Sequence, residues 1–250
     1  MTDDGPSRQA ELAANLAAVR QRIAAACAAA RRDERELTLI AVTKTYPASD
    51  VLALAGLGLR EFGENRDQEA SPKAAEVAAV SEAVPVAWHF IGQLQTNKAH
   101  HVARYADVVQ SVDRVRLVRA LGTAARAAGR DLTCLVQVGL DPECARDGNP
   151  GGIGPRGGAP PEGLAEVAAA IEDEERLVLG GLMAVAPRGV SPGAAFAPLR
   201  QLSAVIRAVR PAAAVISAGM SGDLEAAVAS GATHLRIGTA LLGNRRLTVL

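Results

Sequence analysis

Short aliphatic runs recur along this chain and alternate with longer amphipathic segments. The first run, at residues 38–44, is built almost entirely from aliphatic and β-branched residues and ends on Lys44. Runs of this kind indicate strands that are buried on both faces, as in a parallel sheet. A side chain at the carboxyl end of such a strand lies where α/β folds bind their ligands.

The alternation predicts eight strands, each followed or preceded by a helix. The predicted strands are residues 38–44, 60–65, 87–92, 108–112, 133–140, 177–185, 214–217 and 233–241. The predicted helices include 7–32, 93–104, 192–210 and 221–230, and residues 141–161 form a long loop rich in Gly and Pro. This order predicts an α/β fold, a (β/α)8 TIM-type barrel, with the N-terminal helix packed against the ring beside the last strand.

Composition narrows the class of protein. The chain has 250 residues, of which 49% are hydrophobic and 22% charged, and its formal net charge is zero. The length fits a single barrel domain spanning residues 1–250, and the zero net charge argues against a nucleic-acid-binding protein. The three cysteines form no C-x-x-C pair, which suits a reducing compartment. The sequence shows no apolar leader and no apolar run of membrane length. Together these features predict a cytoplasmic protein.

Lys44 is the first candidate for chemistry. Burial at the strand end would favour its uncharged amine, which is the form that Schiff-base formation requires. The alternative is a lysine that marks the end of a strand in solvent, and this segment alone leaves both open.

The last two predicted strands carry a second candidate site. Residues 217–223 predict a strand end, a glycine-containing turn and a helix start at Ser221, a pattern that favours phosphate but also suits a simple serine cap. Arg236 and Gly238 share one face of strand eight. If that face is the barrel interior, the Arg236 guanidinium needs an acceptor such as a ligand ring nitrogen or phosphate; at the surface it would need none.

Other polar positions allow two interpretations or fail as motifs. Asn65 ends strand two and either orients a ligand or caps the next helix, and His89 is either a core histidine or a site residue. Residues 152–157 match G-x-G-x-x-G without the strand–turn–helix context of a dinucleotide site. His100 and His101 have no companion ligands at metal spacing, so we predict no metal site.

Six motifs follow one another in a specific order. They are Ala41-Val42-Thr43-Lys44-Thr45, Phe62-Gly63-Glu64-Asn65, the run from Trp88 to Lys98, Gly181-Leu182-Met183, the run from Ser217 to Asp223, and Arg236-Ile237-Gly238. Over roughly residues 38–245 the chain resembles the pyridoxal phosphate homeostasis protein family, whose members look like the barrel domain of alanine racemase.

The resemblance implies a role for each candidate residue. It implies that Lys44 carries pyridoxal 5'-phosphate (PLP) as an internal aldimine and that Arg236 faces the pyridine nitrogen. It further implies that the phosphate is held by Ser221, Gly238 and Thr239, that this end is lined by Ser217 and Met220, and that Asn65 and His89 lie near the cofactor. An arginine beside the ring nitrogen disfavours protonation of that nitrogen and weakens the ring as an electron sink.

The resemblance favours a protein that holds, buffers or delivers PLP and so affects amino-acid and keto-acid metabolism, without turnover or catalytic residues of its own. The expected partners are PLP and, as candidate recipients, PLP-dependent apo-enzymes, and we expect a monomer or weak dimer. One alternative is a racemase-like enzyme using Lys44, but the opposing tyrosine of racemases comes from an added β domain, which we do not expect in this chain. Another is a sugar-phosphate isomerase with a Schiff-base lysine, which the pairing of Arg236 with a phosphate turn disfavours.

Overall fold

The computed structural model describes residues 7–80, 85–140 and 157–243. Within these residues, eight parallel strands form a closed barrel in chain order, and the last strand pairs with the first. The strands are β1 (Thr38–Val42), β2 (Glu61–Glu64), β3 (Ala87–Phe90), β4 (Val108–Val112), β5 (Leu132–Val138), β6 (Leu177–Ala184), β7 (Val215–Ser217) and β8 (His234–Ile237). The predicted (β/α)8 barrel is confirmed.

Helices surround the barrel. They are α1 (Arg8–Ala30), α2 (Ala48–Gly56), α3 (Asp67–Val80), α4 (Ala99–Val102), α5 (Val115–Ala128), α6 (Leu164–Glu172), α7 (Pro192–Phe196), α8 (Leu199–Val209), α9 (Leu224–Ala229) and α10 (Thr239–Leu242). Short 3-10 turns lie at Glu34–Glu36, Thr96–Lys98 and Pro161–Gly163. Among the helices described, none is both long and apolar enough to cross a membrane.

The N-terminal helix packs against the ring as predicted. The Ser7 hydroxyl caps α1 by accepting a hydrogen bond from the Ala10 amide at 3.3 Å. Leu12, Leu16 and Val19 recur at three- and four-residue spacing and are all buried. This apolar face contacts α9, α10 and α2, so α1 covers the junction between β8 and β1.

Several predicted elements differ in extent from the observed ones. The helix predicted for 221–230 begins only at Leu224, as α9, so Ser221 lies in the turn before this helix and not at its start. The apolar run after Gly238 forms α10 rather than the end of strand eight, because the chain turns there and the Leu241 and Leu242 amides both bond the Gly238 carbonyl. The predicted helix 192–210 is divided into α7 and α8 by Pro198, which has no N–H to continue the helix. The helix predicted for 93–104 shrinks to a 3-10 turn followed by α4.

Parts of two further predictions lie outside the described residues. The Gly- and Pro-rich loop is described only from residue 157, where Ala159 bridges to Val138 at the end of β5. Positions 152–156 of the G-x-G-x-x-G match are likewise outside. Cys27 and Cys134 are free and buried, while Cys144 is not among the described residues.

Candidate functional site

Lys44 lies in the turn after β1, at the carboxyl end of the barrel. Because β1 ends at Val42, Lys44 is two residues beyond the strand, and its side chain is exposed. Of the two alternatives for this lysine, the structure shows the one in which it stands at the strand end in solvent. The burial expected for this amine is therefore not observed.

Gly238 and Thr239 lie at the same end of the barrel as Lys44. In the β1–β8 pair, Ile40 stands opposite Arg236 and Ala41 opposite Ile237. A Cβ placed on Gly238 would lie 3.3 Å from the Val42 carbonyl oxygen, so the two strand ends approach closely and leave little room for a side chain there. Thr239 begins α10 and is exposed.

A tight turn follows β7 beside this strand end. Gly219 has φ +94°, and a Cβ there would lie 2.6 Å from the Ala227 Cβ, so no other residue fits. The Met220 amide donates to the Asp223 carboxylate, and the Asp223 amide donates to the Met220 carbonyl at 3.2 Å. The turn is thereby closed, with the Met220 side chain 38% exposed at its tip.

Ser221 joins the β7 turn to the start of α10. Its hydroxyl oxygen accepts a hydrogen bond from the Ala240 amide at 3.2 Å. Because the oxygen acts as the acceptor, the hydroxyl proton is free to donate to an anionic oxygen. This donor, between a glycine turn and a helix start, suits a phosphate group.

Arg236 points into the barrel interior and is 4% exposed. Its guanidinium donates to the Ser217 hydroxyl at 2.7 Å and to the Ala184 carbonyl at 2.9 Å, and within the described residues it forms no ion pair with a carboxylate. Burial lowers the pKa of Arg236 to about 10, although Asp223 acts in the opposite direction. The group is still a cation at neutral pH, with N–H donors left for a ligand acceptor.

A chain of hydrogen bonds crosses the barrel from Arg236. The Ser217 hydroxyl donates to Gln110 Oε1 at 2.7 Å, and Gln110 Nε2 lies 2.8 Å from His89 Nδ1. His89 Nε2 lies 2.6 Å from Glu61 Oε2, and this contact lowers the pKa of Glu61. With Gln110 donating, His89 Nδ1 is the acceptor and Nε2 carries the proton toward Glu61.

This interior chain refines two sequence-predicted roles. His89 is 3% exposed and both of its ring nitrogens have protein partners, as in a core histidine. The Ser217 hydroxyl is committed to Arg236 and Gln110, so it positions the guanidinium. Contact of either residue with a cofactor stays a prediction.

Sequence reasoning missed Gln110 and Glu61. Gln110 lies beside Ser111 in the centre of β4, flanked by valines, and it is fully buried. A buried amide needs partners, so a glutamine in the centre of a barrel strand was a usable signal. Glu61 opens β2 and gave no such signal.

Asn65 follows β2 and is half-buried. Its backbone carbonyl packs so closely against Gly92 that a Cβ there would lie 2.0 Å from the oxygen. In the described chain its side-chain amide has no hydrogen bond and does not cap α3. The amide is available to a ligand, and its role stays a prediction.

The pH dependence of stability should reflect His234, which opens β8. Burial lowers the pKa of His234 to about 4, and its Nδ1 lies 2.9 Å from the Thr233 hydroxyl. Between pH 6.5 and 4 the unfolded chain binds more protons at this residue, so the free energy of unfolding should fall with acidification, by at most about 3 kcal/mol. Urea titrations at several pH values measure this slope. His234→Gln should flatten it, and an unchanged slope would assign the titration to other groups.

No group of three or more His, Cys, Asp or Glu side chains that could hold a metal ion is found in residues 7–80, 85–140 and 157–243. His100 and His101 stack on each other, with ring centroids 3.9 Å apart.

Comparison with known proteins identifies relatives over almost the whole chain. A family model described as "Alanine racemase, N-terminal domain" matches residues 12–246. The pyridoxal phosphate homeostasis protein of Mycobacterium tuberculosis is 43% identical over 254 residues, covering 97% of this chain and 96% of its relative.

Solved structures agree with this relationship. PipY of Synechococcus elongatus PCC7942, determined with PLP bound, superimposes with a TM-score of 0.76 at 32% identity, covering 93% of this chain and 100% of PipY. Alanine racemase of Streptomyces coelicolor superimposes with a TM-score of 0.68 at 21% identity, covering 95% of this chain but only 59% of the racemase. The second likeness concerns the fold alone.

Proposed function

Since the chain belongs to the alanine racemase N-terminal domain family, and within it to the pyridoxal phosphate homeostasis proteins, we propose that it binds PLP and holds, buffers or delivers this cofactor. The proposal places the cofactor at the carboxyl end of the barrel, attached through its aldehyde to Lys44. Turnover of a substrate is not part of the proposed role.

One observation carries the proposal: the β1–β8 register brings an amine, a phosphate-type turn and a buried cation to one end of the barrel. Gly238 lies against Val42, and Val42 is two residues before Lys44 in the chain. Arg236 stands opposite Ile40 in the same pair of strands. An aldehyde, a phosphate and a ring nitrogen on one small molecule match these three groups.

Each group of this site has a distinct task. The Ser221 hydroxyl donates to the phosphate, and the start of α10 at Gly238 and Thr239 contributes its backbone. The Arg236 guanidinium, fixed by Ser217 and Ala184, offers its remaining donors to the ring nitrogen. When bound, the cofactor supplies an aldehyde that forms a Schiff base and a ring that acts as an electron sink. Met220 and Asn65 are proposed as flanking contacts.

The chain's own residues support a role without turnover. An arginine that remains a cation disfavours a proton on the adjacent ring nitrogen, and the unprotonated ring is the weaker electron sink. The chain has two tyrosines that could serve as an acid or base. The Tyr46 hydroxyl donates to the Gly243 carbonyl at 2.7 Å, and burial raises the pKa of Tyr105 above its usual range.

Delivery implies recipients, and we propose that these are PLP-dependent apo-enzymes. A monomer or weak dimer in the cytoplasm remains the expected form. No specific observation favours the racemase-like or the sugar-phosphate alternative.

Titration with PLP tests the proposal, and Ser221→Ala tests the phosphate assignment. We expect the wild-type protein to develop the absorption of a Schiff base when PLP is added. Ser221→Ala should keep this chromophore but bind PLP roughly ten- to a hundredfold more weakly, because one charge-assisted hydrogen bond is worth roughly 1.5–3 kcal/mol. Equilibrium dialysis measures the affinity. Ser71→Ala, an exposed serine on α3, is the matched control.

Two results would contradict this assignment. A wild-type protein that stays colourless in excess PLP would overturn the proposed function. Wild-type affinity in Ser221→Ala would place the phosphate elsewhere.

A further inference from the structure

The two peptide groups that flank Lys44 are both held by side chains from α3. Because the Lys44 side chain is exposed and lies beyond the strand, the position of its amine depends on the backbone on either side. That backbone leaves the regular geometry of β1 at Thr43. The contacts that hold the backbone in place therefore determine which positions the Lys44 amine can occupy.

Thr45, directly after Lys44, adopts a strained conformation. Its φ is +68°, a region that β-branched residues rarely occupy, so the surrounding structure must impose it. The Thr45 amide donates to Glu69 Oε2 at 3.0 Å, and the Tyr46 amide donates to the Thr43 carbonyl at 3.0 Å. Glu69 is thus the side chain that anchors the strained residue.

Thr43, directly before Lys44, is held from within the protein. Its carbonyl accepts a hydrogen bond from Lys73 Nζ at 2.8 Å, and its hydroxyl donates to Glu64 Oε1 at 2.7 Å. Lys73 and Glu64 form an ion pair at 2.5 Å and are 7% and 0% exposed. The three residues make one buried cluster directly beneath the turn.

Stability alone does not account for this buried pair. Glu64 Oε2 is buried and has no hydrogen-bond partner among the residues that the structure describes. Buried ion pairs are often no more stable than apolar residues of similar size, and an unpaired oxygen adds a desolvation cost. Holding the Thr43 carbonyl in place would explain why this ion pair is buried here.

Glu69 and Lys73 are four residues apart on α3 and therefore lie on one face of the helix. We infer that these two side chains are positioning residues that aim the Lys44 amine at the aldehyde of the cofactor. The inference rests on the proposed function. In the step that they assist, the Lys44 amine adds to the aldehyde carbon, the aldehyde oxygen leaves as water with both amine protons, and a C=N bond forms without an oxidant or reductant.

The experiment separates attachment from binding with two ligands. PLP reports attachment through its Schiff-base absorption and through borohydride reduction, which traps it on the lysine. Pyridoxine 5'-phosphate carries an alcohol in place of the aldehyde and reports binding through the ring and phosphate alone. Both are measured on the full chain for wild type and variants.

Glu69→Ala should slow attachment of PLP at Lys44 by about tenfold or more and leave the affinity for pyridoxine 5'-phosphate within about twofold. Glu69→Gln keeps an acceptor oxygen and should behave as wild type. Adding Thr45→Gly to Glu69→Ala should restore attachment, because glycine adopts φ +68° without an anchor. Glu76→Ala, an exposed glutamate on the same helix, is the control.

Lys73 is tested as a pair, because removing one charge alone would leave the other buried and uncompensated. Glu64→Gln with Lys73→Met should reproduce the selective loss of attachment, with circular dichroism confirming the fold. Wild-type attachment in Glu69→Ala, or an equal loss for both ligands, would overturn the inference. Wild-type protein that binds neither ligand would overturn the proposed function itself.

Discussion

Replacing Lys44 with alanine should abolish covalent attachment of PLP and leave the fold intact. The chain contains three lysines, and Lys73 is buried in its ion pair with Glu64. Only Lys98, in the 3-10 turn after β3, remains as a competitor. Since Lys44 is exposed, its loss should change the free energy of unfolding by no more than about 0.5 kcal/mol.

Borohydride trapping followed by peptide mapping measures this effect directly. Wild-type protein should give one modified peptide that contains Lys44, and Lys44→Ala should give none. Lys98→Ala is the matched control and should trap PLP at the wild-type level. Equal trapping on Lys98 in the Lys44→Ala protein would show that Lys44 is not the primary attachment site.

Most of the fold follows from local patterns in the sequence. The aliphatic runs of β1, β5 and β6 are typical of strands buried on both faces, and the apolar spacing of α1 indicates a helix with one buried side. One error occurs where the same apolar residues suit both a strand and a helix. Leu241 and Leu242 continue the pattern of strand eight, but the turn at Gly238 places them in α10.

The candidate site was predictable only where one residue carries the signal. Arg236 and Gly238 could be paired by strand parity, and the Ser221 turn by its glycine and serine. The two α3 residues that hold the backbone on either side of Lys44 left no such mark. Glu69 and Lys73 look like ordinary charges on the amphipathic α3, and only the tertiary structure shows that they reach Thr45 and Thr43.

Among the described residues, the buried Arg236 guanidinium forms no ion pair with a carboxylate, although Asp223 favours its charged form. A chain of hydrogen bonds runs from Arg236 across the barrel to Glu61, through Ser217, Gln110 and His89. The member of this hydrogen-bond chain that contacts Arg236 is the neutral Ser217 hydroxyl, which does not neutralise the guanidinium. The positive charge of Arg236 is therefore available to a ligand in the barrel mouth.

The PLP-loaded protein should leave the Cα proton of amino acids unexchanged. With the cofactor placed as proposed, the Arg236 cation would oppose protonation of the ring nitrogen, and Lys44 would be the acid–base group at one face only. The Tyr46 hydroxyl donates to the Gly243 carbonyl and burial raises the pKa of Tyr105, so neither tyrosine is suited to act as the second acid or base. Abstraction of the proton should be slow, and its return from the other side slower.

Proton NMR of L-alanine in deuterated buffer with the loaded protein measures this rate, and an alanine racemase serves as the positive control. We expect the Cα signal to persist and no D-alanine to form. Ordinary enzymes turn over at a rate of order 1 per second or faster. Loss of the signal at that rate would show that a base abstracts the Cα proton, and formation of D-alanine would in addition require a second acid–base group on the opposite face. Either result would make the protein an enzyme and not a carrier of PLP.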